Sequence, residues 1–173
     1  MNKNLPSFEL VIRPASFNDI KYIQKITAAT WQQTYTPILS KDQIDYMLEK
    51  FYSTPSLEEQ IKNKHYFFLA LQNYSPVGFA SFSHVGEKTY KLQKLYVLPD
   101  VQKTGAGKKL FETVETVAKS MGAETLILNV NRKNKAKIFY EKNGFRVIRE
   151  EDIDIGNGYF MNDYIMSLTL LPR

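Results

Sequence analysis

The sequence predicts a mixed α/β fold, in which a mixed sheet is flanked by helices. Two kinds of hydrophobic periodicity alternate along the 173 residues, turn signals separate them, and a glycine-rich segment joins a strand to a helix. Hydrophobic residues make up 43% of the chain and charged residues 24%, which is ordinary for a globular protein. Because no repeat or linker-like stretch occurs, we expect a single domain over 1–173.

The first third of the chain is predicted to be one strand followed by helices. FELVIR (8–13) alternates as a strand, and Pro14 is expected to end it. Apolar residues recur at helical spacing over 16–35 and 40–51, each beginning with a plausible capping residue. A short helix over 56–62 is expected to follow.

The remainder is predicted to contain six strands and two helices. Glycines at helix ends and a Gly-Asn-Gly hairpin signal near the C-terminus mark boundaries, and Ser75-Pro76 and Gly86 are expected to separate the first three of these strands. The strands are 66–71, 77–85, 89–98, 125–130, 146–155 and 159–170, and the helices are 105–121 and 133–143. The element order is strand, two or three helices, three strands, helix, strand, helix and two strands.

Composition excludes several classes of function. The absence of cysteine rules out disulfides, thiol nucleophiles and Cys-based zinc sites, and with only His65 and His84 we expect no metal. No apolar run approaches the ~20 residues of a membrane-spanning helix. The N-terminus lacks the apolar core of a signal peptide, so we expect a cytoplasmic protein without a membrane partner.

The net charge of +5 admits nucleic acid, a polyanionic cofactor, or solubility alone. The sequence has no groove-reading motif and no aromatic stacking signature, so we do not expect a nucleic-acid partner. Nothing in the sequence decides the oligomeric state, and a homodimer stays open.

The segment QKTGAGKKL (102–110) has the composition of a phosphate-binding loop. It is not a Walker A loop, which needs a glycine where Gln102 stands, and it is not a dinucleotide fingerprint, which needs one where Leu110 stands. A helix that begins at Gly105 and Gly107 still offers unpaired amides and the positive end of its dipole to an anion. The alternative is a glycine-rich helix entry that binds no ligand.

Two segments of the sequence resemble those of a known protein family. LYVLPDVQKTGAGKKLF resembles the acetyl-coenzyme A signature of the GCN5-related N-acetyltransferase (GNAT) superfamily, Gln/Arg-x-x-Gly-x-Gly/Ala, with Gln102, Gly105 and Gly107 at the defining positions. NVNRKNKAKIFYEKNGF (129–145) is similar to the second segment of the family. The element order matches as well, so the resemblance covers essentially the whole chain. TWQQTY (30–35) and the C-terminal hairpin are similar to the bacterial polyamine acetyltransferase-like branch.

The resemblance implies a fold and a co-substrate. The fold is a seven-stranded, mostly antiparallel sheet whose central parallel strands splay apart, and the co-substrate is acetyl-coenzyme A. Its pantetheine is expected to bind the backbone of Leu95, Tyr96 and Val97. Its pyrophosphate is expected on the amides of Gln102, Lys103, Thr104, Gly105, Ala106, Gly107 and Lys108.

The second segment suggests a catalytic residue and a further contact to the cofactor. Tyr140 aligns with the tyrosine that, in many family members, hydrogen-bonds the coenzyme A sulfur, and its alternative role is packing beside Phe139. Asn134 is the expected pantetheine contact, with Asn131 as the other candidate. An asparagine near a helix start is also a common cap.

The acceptor side is less well defined by the sequence. Trp31 and Tyr35 are four residues apart on one helical face, where they could line an amine-binding wall or simply pack in the core. We expect a primary amine of a small molecule, polyamine-like or otherwise, or of a peptide. No general base is evident, since Gln93 cannot act as one, and a water chain is a plausible relay. The alternative function is a non-catalytic acyl-coenzyme A-binding module.

Overall fold

The structure, a computed structural model, describes residues 9–170, and that range contains seven strands and five α-helices. The strands are β1 (Leu10–Pro14), β2 (Tyr66–Gln72), β3 (Ser75–Gly86), β4 (Thr89–Val97), β5 (Thr125–Asn131), β6 (Arg146–Gly156) and β7 (Tyr159–Thr169). The helices are α1 (Ile20–Tyr35), α2 (Lys41–Tyr52), α3 (Thr54–Lys62), α4 (Ala106–Ser120) and α5 (Ala136–Lys142). Phe8, the predicted first residue of the first strand, lies outside the described residues.

All seven strands form one sheet, in the order β1-β2-β3-β4-β5-β7-β6. Every neighbouring pair is antiparallel except β4 and β5, which are parallel. The connection between these two strands runs through α4, since a parallel pair needs a crossover rather than a hairpin. The mixed, mostly antiparallel sheet expected from the sequence is therefore confirmed.

The central parallel strands separate after a short ladder. β4 and β5 pair over four positions, ending at Leu92 and Leu128. β4 then continues to Val97 paired only with β3, while β5 continues to Asn131 paired only with β7. Backbone donors and acceptors along the two facing edges have no strand partner there and need one from elsewhere. The implied splay is confirmed, and it opens a gap in the middle of the sheet.

A β-bulge in β4 sits where the gap begins. Leu92 pairs with Phe82 and Lys94 pairs with the adjacent Ser81, so Gln93 is the extra residue. The bulge reverses the alternation of side chains, which places Leu92 under α4 and Lys94 on the face covered by α1 and α2. Gln93 Nε2 donates a hydrogen bond of 3.1 Å to Ser83 Oγ, which fixes the bulge on β3.

The sheet has a hydrophobic core on each face. The core on the side of α4 and α5 includes Leu110, Phe111, Val114, Leu126, Leu128 and Phe145. The core on the side of α1, α2 and α3 includes Ile23, Ile26, Trp31, Leu57, Leu69 and Phe79. Both match the helical periodicity from which the helices were predicted. No helix in the described range is both long and apolar enough to cross a membrane.

Side-chain caps explain where the N-terminal helices begin. Ser40 Oγ accepts from the Gln43 amide at 3.2 Å, as its predicted capping role requires. Before α1, a short 3₁₀ turn (Phe17–Asp19) is closed by Asp19, whose Oδ2 accepts from the Ser16 amide at 2.9 Å. Asp19 also forms a 2.8 Å ion pair with Arg13, which ties the turn to β1.

Three predicted boundaries are wrong, and the smallest difference is at α3, which begins at Thr54 rather than at 56. The turn between β2 and β3 is at Asn73-Tyr74, both with positive φ (48° and 68°), rather than at Ser75-Pro76. A two-residue hairpin of this handedness matches the twist of its strands, so Ser75 and Pro76 become part of β3. The last helix begins at Ala136 rather than 133, because a turn precedes it in which the Asn134 amide donates to the Asn131 carbonyl and Asn134 Oδ1 accepts from the Ala136 amide, both at 2.9 Å.

Candidate active site

A cavity of about 130 Å³ lies at the gap between β4 and β5. It is bounded by the far ends of both strands, the C-terminal end of α1 and the start of α5. Its lining includes seven of the site residues predicted from the sequence, namely Tyr35, Leu95, Tyr96, Val97, Gln102, Asn134 and Tyr140. The folded chain therefore brings both family-like segments to one place.

The loop before α4 is shaped to present backbone amides. Gly105 is the capping residue, with φ of 90°, and Lys103 also has a positive φ of 71°. The first hydrogen bond of the helix runs from the Lys109 amide to the Gly105 carbonyl at 3.0 Å. The amides of the three residues between them, Ala106 to Lys108, therefore point out of the helix end, where the dipole is positive. This geometry suits the pyrophosphate that the sequence places here.

Two side chains hold this loop against the end of β4. Gln102 Nε2 donates to the Val97 carbonyl at 3.2 Å, and Thr104 Oγ1 donates to the Val101 carbonyl at 2.6 Å. Gln102 therefore shapes the loop through its side chain, and its backbone amide also bonds within the loop, to the Pro99 carbonyl at 3.4 Å. A side chain at Gly107 would make ordinary contacts with Val97 and Phe139, at 3.7 and 3.9 Å.

The lysines near the loop have protein partners. Lys108 lies 3.8 Å from Glu112 in an exposed ion pair, and Lys109 Nζ donates to the Leu10 carbonyl at 2.6 Å. In α5, Lys137 pairs with Glu141 at 2.7 Å. These three lysines therefore belong to largely solvated helix faces, and the backbone amides at the start of α4 stay the predicted contact to the pyrophosphate.

Tyr140 lines the cavity from α5 and is held by its neighbours. Its ring lies edge-on to Phe139 and Phe145, with centroid distances of 5.5 and 5.8 Å. Burial raises the pKa of Tyr140, and the nearby Tyr35 raises it further, so the hydroxyl stays protonated. A protonated phenol at the gap can donate a hydrogen bond to a sulfur there.

Asn134 lines the cavity just before α5, and its Oδ1 accepts from the Ala136 amide at 2.9 Å. Its Nδ2 donates to Tyr35 Oη at 3.4 Å. Asn131 has a different place, because its Oδ1 accepts from the Lys133 amide at 2.9 Å within the turn. The position of Asn134 favours it over Asn131 as the pantetheine contact, which stays a prediction.

An aromatic cluster lies on the α1 side of the cavity. Tyr35 lines the cavity, whereas the Trp31 indole lies behind it at a centroid distance of 4.7 Å and packs on Tyr52 and Tyr96 at 5.4 and 6.2 Å. Trp31 is 3% exposed, so its place is that of a core residue. Burial raises the pKa of Tyr35, Tyr52 and Tyr96, which keeps all three hydroxyls neutral.

Sequence reasoning missed two charged residues on this side of the sheet. Lys94 lines the cavity beyond the bulge, and burial lowers its pKa to about 8, with Lys91 adding repulsion. Asp163 of β7 is 5% exposed and accepts from Asn129 Nδ2 at 3.3 Å, and burial raises its pKa. Both positions depend on the bulge and on strand pairing across the gap, which no local sequence pattern reveals. Within residues 9–170 no cluster of side chains suits a metal ion.

Comparison with known protein families shows which family this chain belongs to. A family model for the acetyltransferase (GNAT) domain matches residues 35–167, more than half of the chain. The chain therefore belongs to the GNAT family of N-acetyltransferases, and its co-substrate is acetyl-coenzyme A.

Two relatives of this chain are named for different acceptors. The chain is 30% identical over 156 residues to the spermidine N(1)-acetyltransferase of Thermoplasma acidophilum, an alignment that covers 87% of this chain and 94% of the relative. It is 32% identical over 90 residues to the [ribosomal protein bS18]-alanine N-acetyltransferase of Haemophilus influenzae, covering 52% of this chain and 58% of that one.

Solved structures show the same fold. The PaiA N-acetyltransferase of Thermoplasma acidophilum in complex with coenzyme A superposes with a TM-score of 0.80 at 27% identity, over 93% of this chain and 99% of the other. The acetyltransferase YncA of Salmonella typhimurium with acetyl-coenzyme A has a TM-score of 0.67 at 20% identity, over 95% of each chain, and so supports the fold alone.

Proposed function

We propose that this protein transfers an acetyl group from acetyl-coenzyme A to a primary amine of a small molecule or a peptide, by direct attack of the amine on the thioester. The observation that carries the proposal is the gap between β4 and β5, which ends at the amide-presenting loop of α4. An acyl-pantetheine arm is a chain of amides, so it can supply the partners that the facing strand edges need.

The proposed placement of the co-substrate follows from this geometry. Its pyrophosphate binds the amides of 102–108, and its pantetheine runs along Leu95, Tyr96 and Val97, with Asn134 on the opposite side. The acetyl carbonyl then lies between Tyr140 and the aromatic wall that contains Tyr35. The acceptor amine enters from the face of the sheet that carries α1 and α2.

The transfer forms a nitrogen–carbon bond and breaks the carbon–sulfur bond of the thioester. The amine must be neutral to attack, although an alkyl amine has a pKa of ~10.4 in water. Water takes its proton, with Asp163 as the buried carboxylate on the acceptor side that can receive it. If an Asp163→Asn variant kept full kcat/KM, Asp163 would not be needed as the proton acceptor, and water alone would take the proton. The thiolate leaves with a hydrogen bond from Tyr140.

The acceptor class is tested by offering amines of each kind. The panel contains polyamines, amino acids, aminoglycosides and peptides with free N-termini, and thiol release from acetyl-coenzyme A is measured for each. We expect at least one class to be acetylated well above the hydrolytic background. Tight acetyl-coenzyme A binding without thiol release for any amine would instead support the non-catalytic module.

A further inference from the structure

Lys94 is a cation at the cavity without an acidic partner in residues 9–170. Its ammonium lies 4.9 Å from the centroid of the Tyr52 ring, and the charged group that most affects it is Lys91. A buried charge normally has a carboxylate or several acceptors around it, because desolvation is expensive. A methionine or leucine would fill the same space against Tyr52 without that cost.

The other cations on this side of the sheet are better compensated. Arg132 pairs with Asp152 at 2.6 Å, and Arg149 lies 3.3 Å from Glu151. Lys91 interacts favourably with Asp163 and Glu151. The uncompensated positive charge is therefore concentrated at Lys94, next to the space that the acceptor must enter.

Polar groups around Lys94 add hydrogen-bond donors. Ser81 lies directly opposite Lys94 in β3, on the same face, and its buried hydroxyl has no hydrogen-bond partner among the described residues. The indole nitrogen of Trp31, which can only donate, is likewise buried and unpaired within that range. Trp31 packs on the same Tyr52 ring that Lys94 covers. Of these two donors the Ser81 hydroxyl is the one opposite Lys94 in the sheet, and together with the unpaired positive charge of Lys94 it favours an anion.

We infer that the acceptor is an amine that also carries a carboxylate, and that Lys94 binds this carboxylate while the amine faces the thioester. The inference rests on the proposed acetyltransferase function of the same site. Lys94 and Tyr140 line one cavity of about 130 Å³, so one small molecule can reach both of them. An amino acid carries both groups that this arrangement would bind. A polyamine brings a second ammonium toward Lys94 and is repelled by it.

The test compares amines that differ by one carboxylate. Ornithine and putrescine form one pair, and lysine and cadaverine form a second. Each is varied at saturating acetyl-coenzyme A, and kcat/KM is obtained from thiol release. We expect the carboxylate-bearing member of each pair to have a kcat/KM at least tenfold higher, the size of effect that a charged hydrogen bond provides.

Variants then assign the preference to one side chain. Lys94→Met keeps the length and loses the charge, and we expect the ornithine-to-putrescine ratio of kcat/KM to fall at least tenfold. Lys119→Met removes an exposed lysine from α4, on the opposite face of the sheet, and should leave the ratio unchanged. A purely structural role for Lys94 would lower both rates together, so the ratio separates the two roles.

The outcomes distinguish this inference from the proposed function. A preference for the diamines, or an equal loss for both members of a pair in Lys94→Met, overturns the carboxylate assignment while acetyl transfer stands. Turnover of peptides alone overturns it as well. Absence of thiol release with every amine, in the presence of bound acetyl-coenzyme A, overturns the proposed function and the inference with it.

Discussion

Tyr140 is positioned by its ring rather than by its hydroxyl. The edge-on contacts with Phe139 and Phe145 remain if the oxygen is removed. Its raised pKa also limits the chemistry, because full proton transfer to a thiolate of pKa ~8.5 is uphill from any phenol and more so from this one. In the proposed mechanism Tyr140 therefore donates a hydrogen bond to the leaving sulfur, and the amine supplies the proton.

Replacing Tyr140 by phenylalanine should slow the acetyl-transfer step and change acetyl-coenzyme A affinity and stability little. We expect kcat and kcat/KM to fall together by ~10²–10⁴-fold, because the donor is needed mainly in the transition state. Steady-state kinetics on an accepted amine gives both constants, and calorimetry gives the acetyl-coenzyme A affinity. A thermal melt serves as the control for folding. Full kcat with a rate-limiting chemical step would make Tyr140 a packing residue.

Lys94 is expected to lower the stability of the fold, in a way that depends on pH. Its pKa is about 8 in the folded chain and ~10.4 when unfolded, so the unfolded chain binds more protons between these values. The penalty is complete below pH 8 and disappears as pH rises to about 10.5. The titratable groups that face it are Lys91 of the same strand, His65 before β2 and Tyr52 of α2.

Lys94→Met should therefore be more stable than the parent at pH 7, by on the order of 1–3 kcal/mol. Urea unfolding at pH 7 and pH 10 measures the difference, which should shrink at the higher pH. Lys119→Met provides the comparison for loss of a lysine elsewhere. A stability gain of equal size at both pH values would show that packing, not charge, is responsible.

At the scale of elements, the start of α4 depends on one backbone conformation. Gly105 has a left-handed φ of 90°, and an added Cβ would meet no atom within 4 Å. The requirement for glycine is therefore conformational, since a β-branched residue is strained at this φ. Relief of that strain would turn the amides of 106–108 away from the pyrophosphate.

Gly105→Val is expected to weaken coenzyme A binding at least tenfold, measured by calorimetry. Gly122, after the other end of α4, is the matched control, because its φ is 89° and an added Cβ there also meets nothing within 4 Å. Gly122→Val should lower the stability of the fold about as much as Gly105→Val does, and should leave the affinity for coenzyme A unchanged. If folded Gly105→Val bound coenzyme A as tightly as the parent protein, the loop before α4 would not be part of the coenzyme A site.

The same elements show what the sequence can and cannot predict. Hydrophobic periodicity locates every strand and helix in residues 9–170, and the glycine spacing locates the α4 loop. Boundaries that depend on a side chain bonding the backbone, such as Asn134 at α5, are displaced by a few residues. Lys94 and Asp163 are not predicted, because the bulge at Gln93 turns Lys94 into the cavity and the pairing of β5 with β7 places Asp163 next to Asn131 in the sheet.

At the scale of the whole molecule, the sheet consists of two antiparallel parts that are joined by the short parallel ladder between β4 and β5. The strands β1 to β4 are linked by antiparallel pairs, and so are β5, β7 and β6. The core beneath α4 and α5 is continuous across both parts, with residues from β2, β3, β4, β5 and β7. The cavity therefore lies at an internal boundary of the sheet that only the complete fold creates.

The short parallel ladder between β4 and β5 also bears on how the chain folds. The hairpins β2–β3, β3–β4 and β6–β7 are local in sequence, so their loops close at little entropic cost. The ladder joins residues some thirty-six positions apart, Thr89 with Thr125, and contains only four pairs. We therefore expect the two antiparallel halves to gain structure first and the seam between them to close late. The last place to become ordered on folding is then the place where the thioester is to be bound.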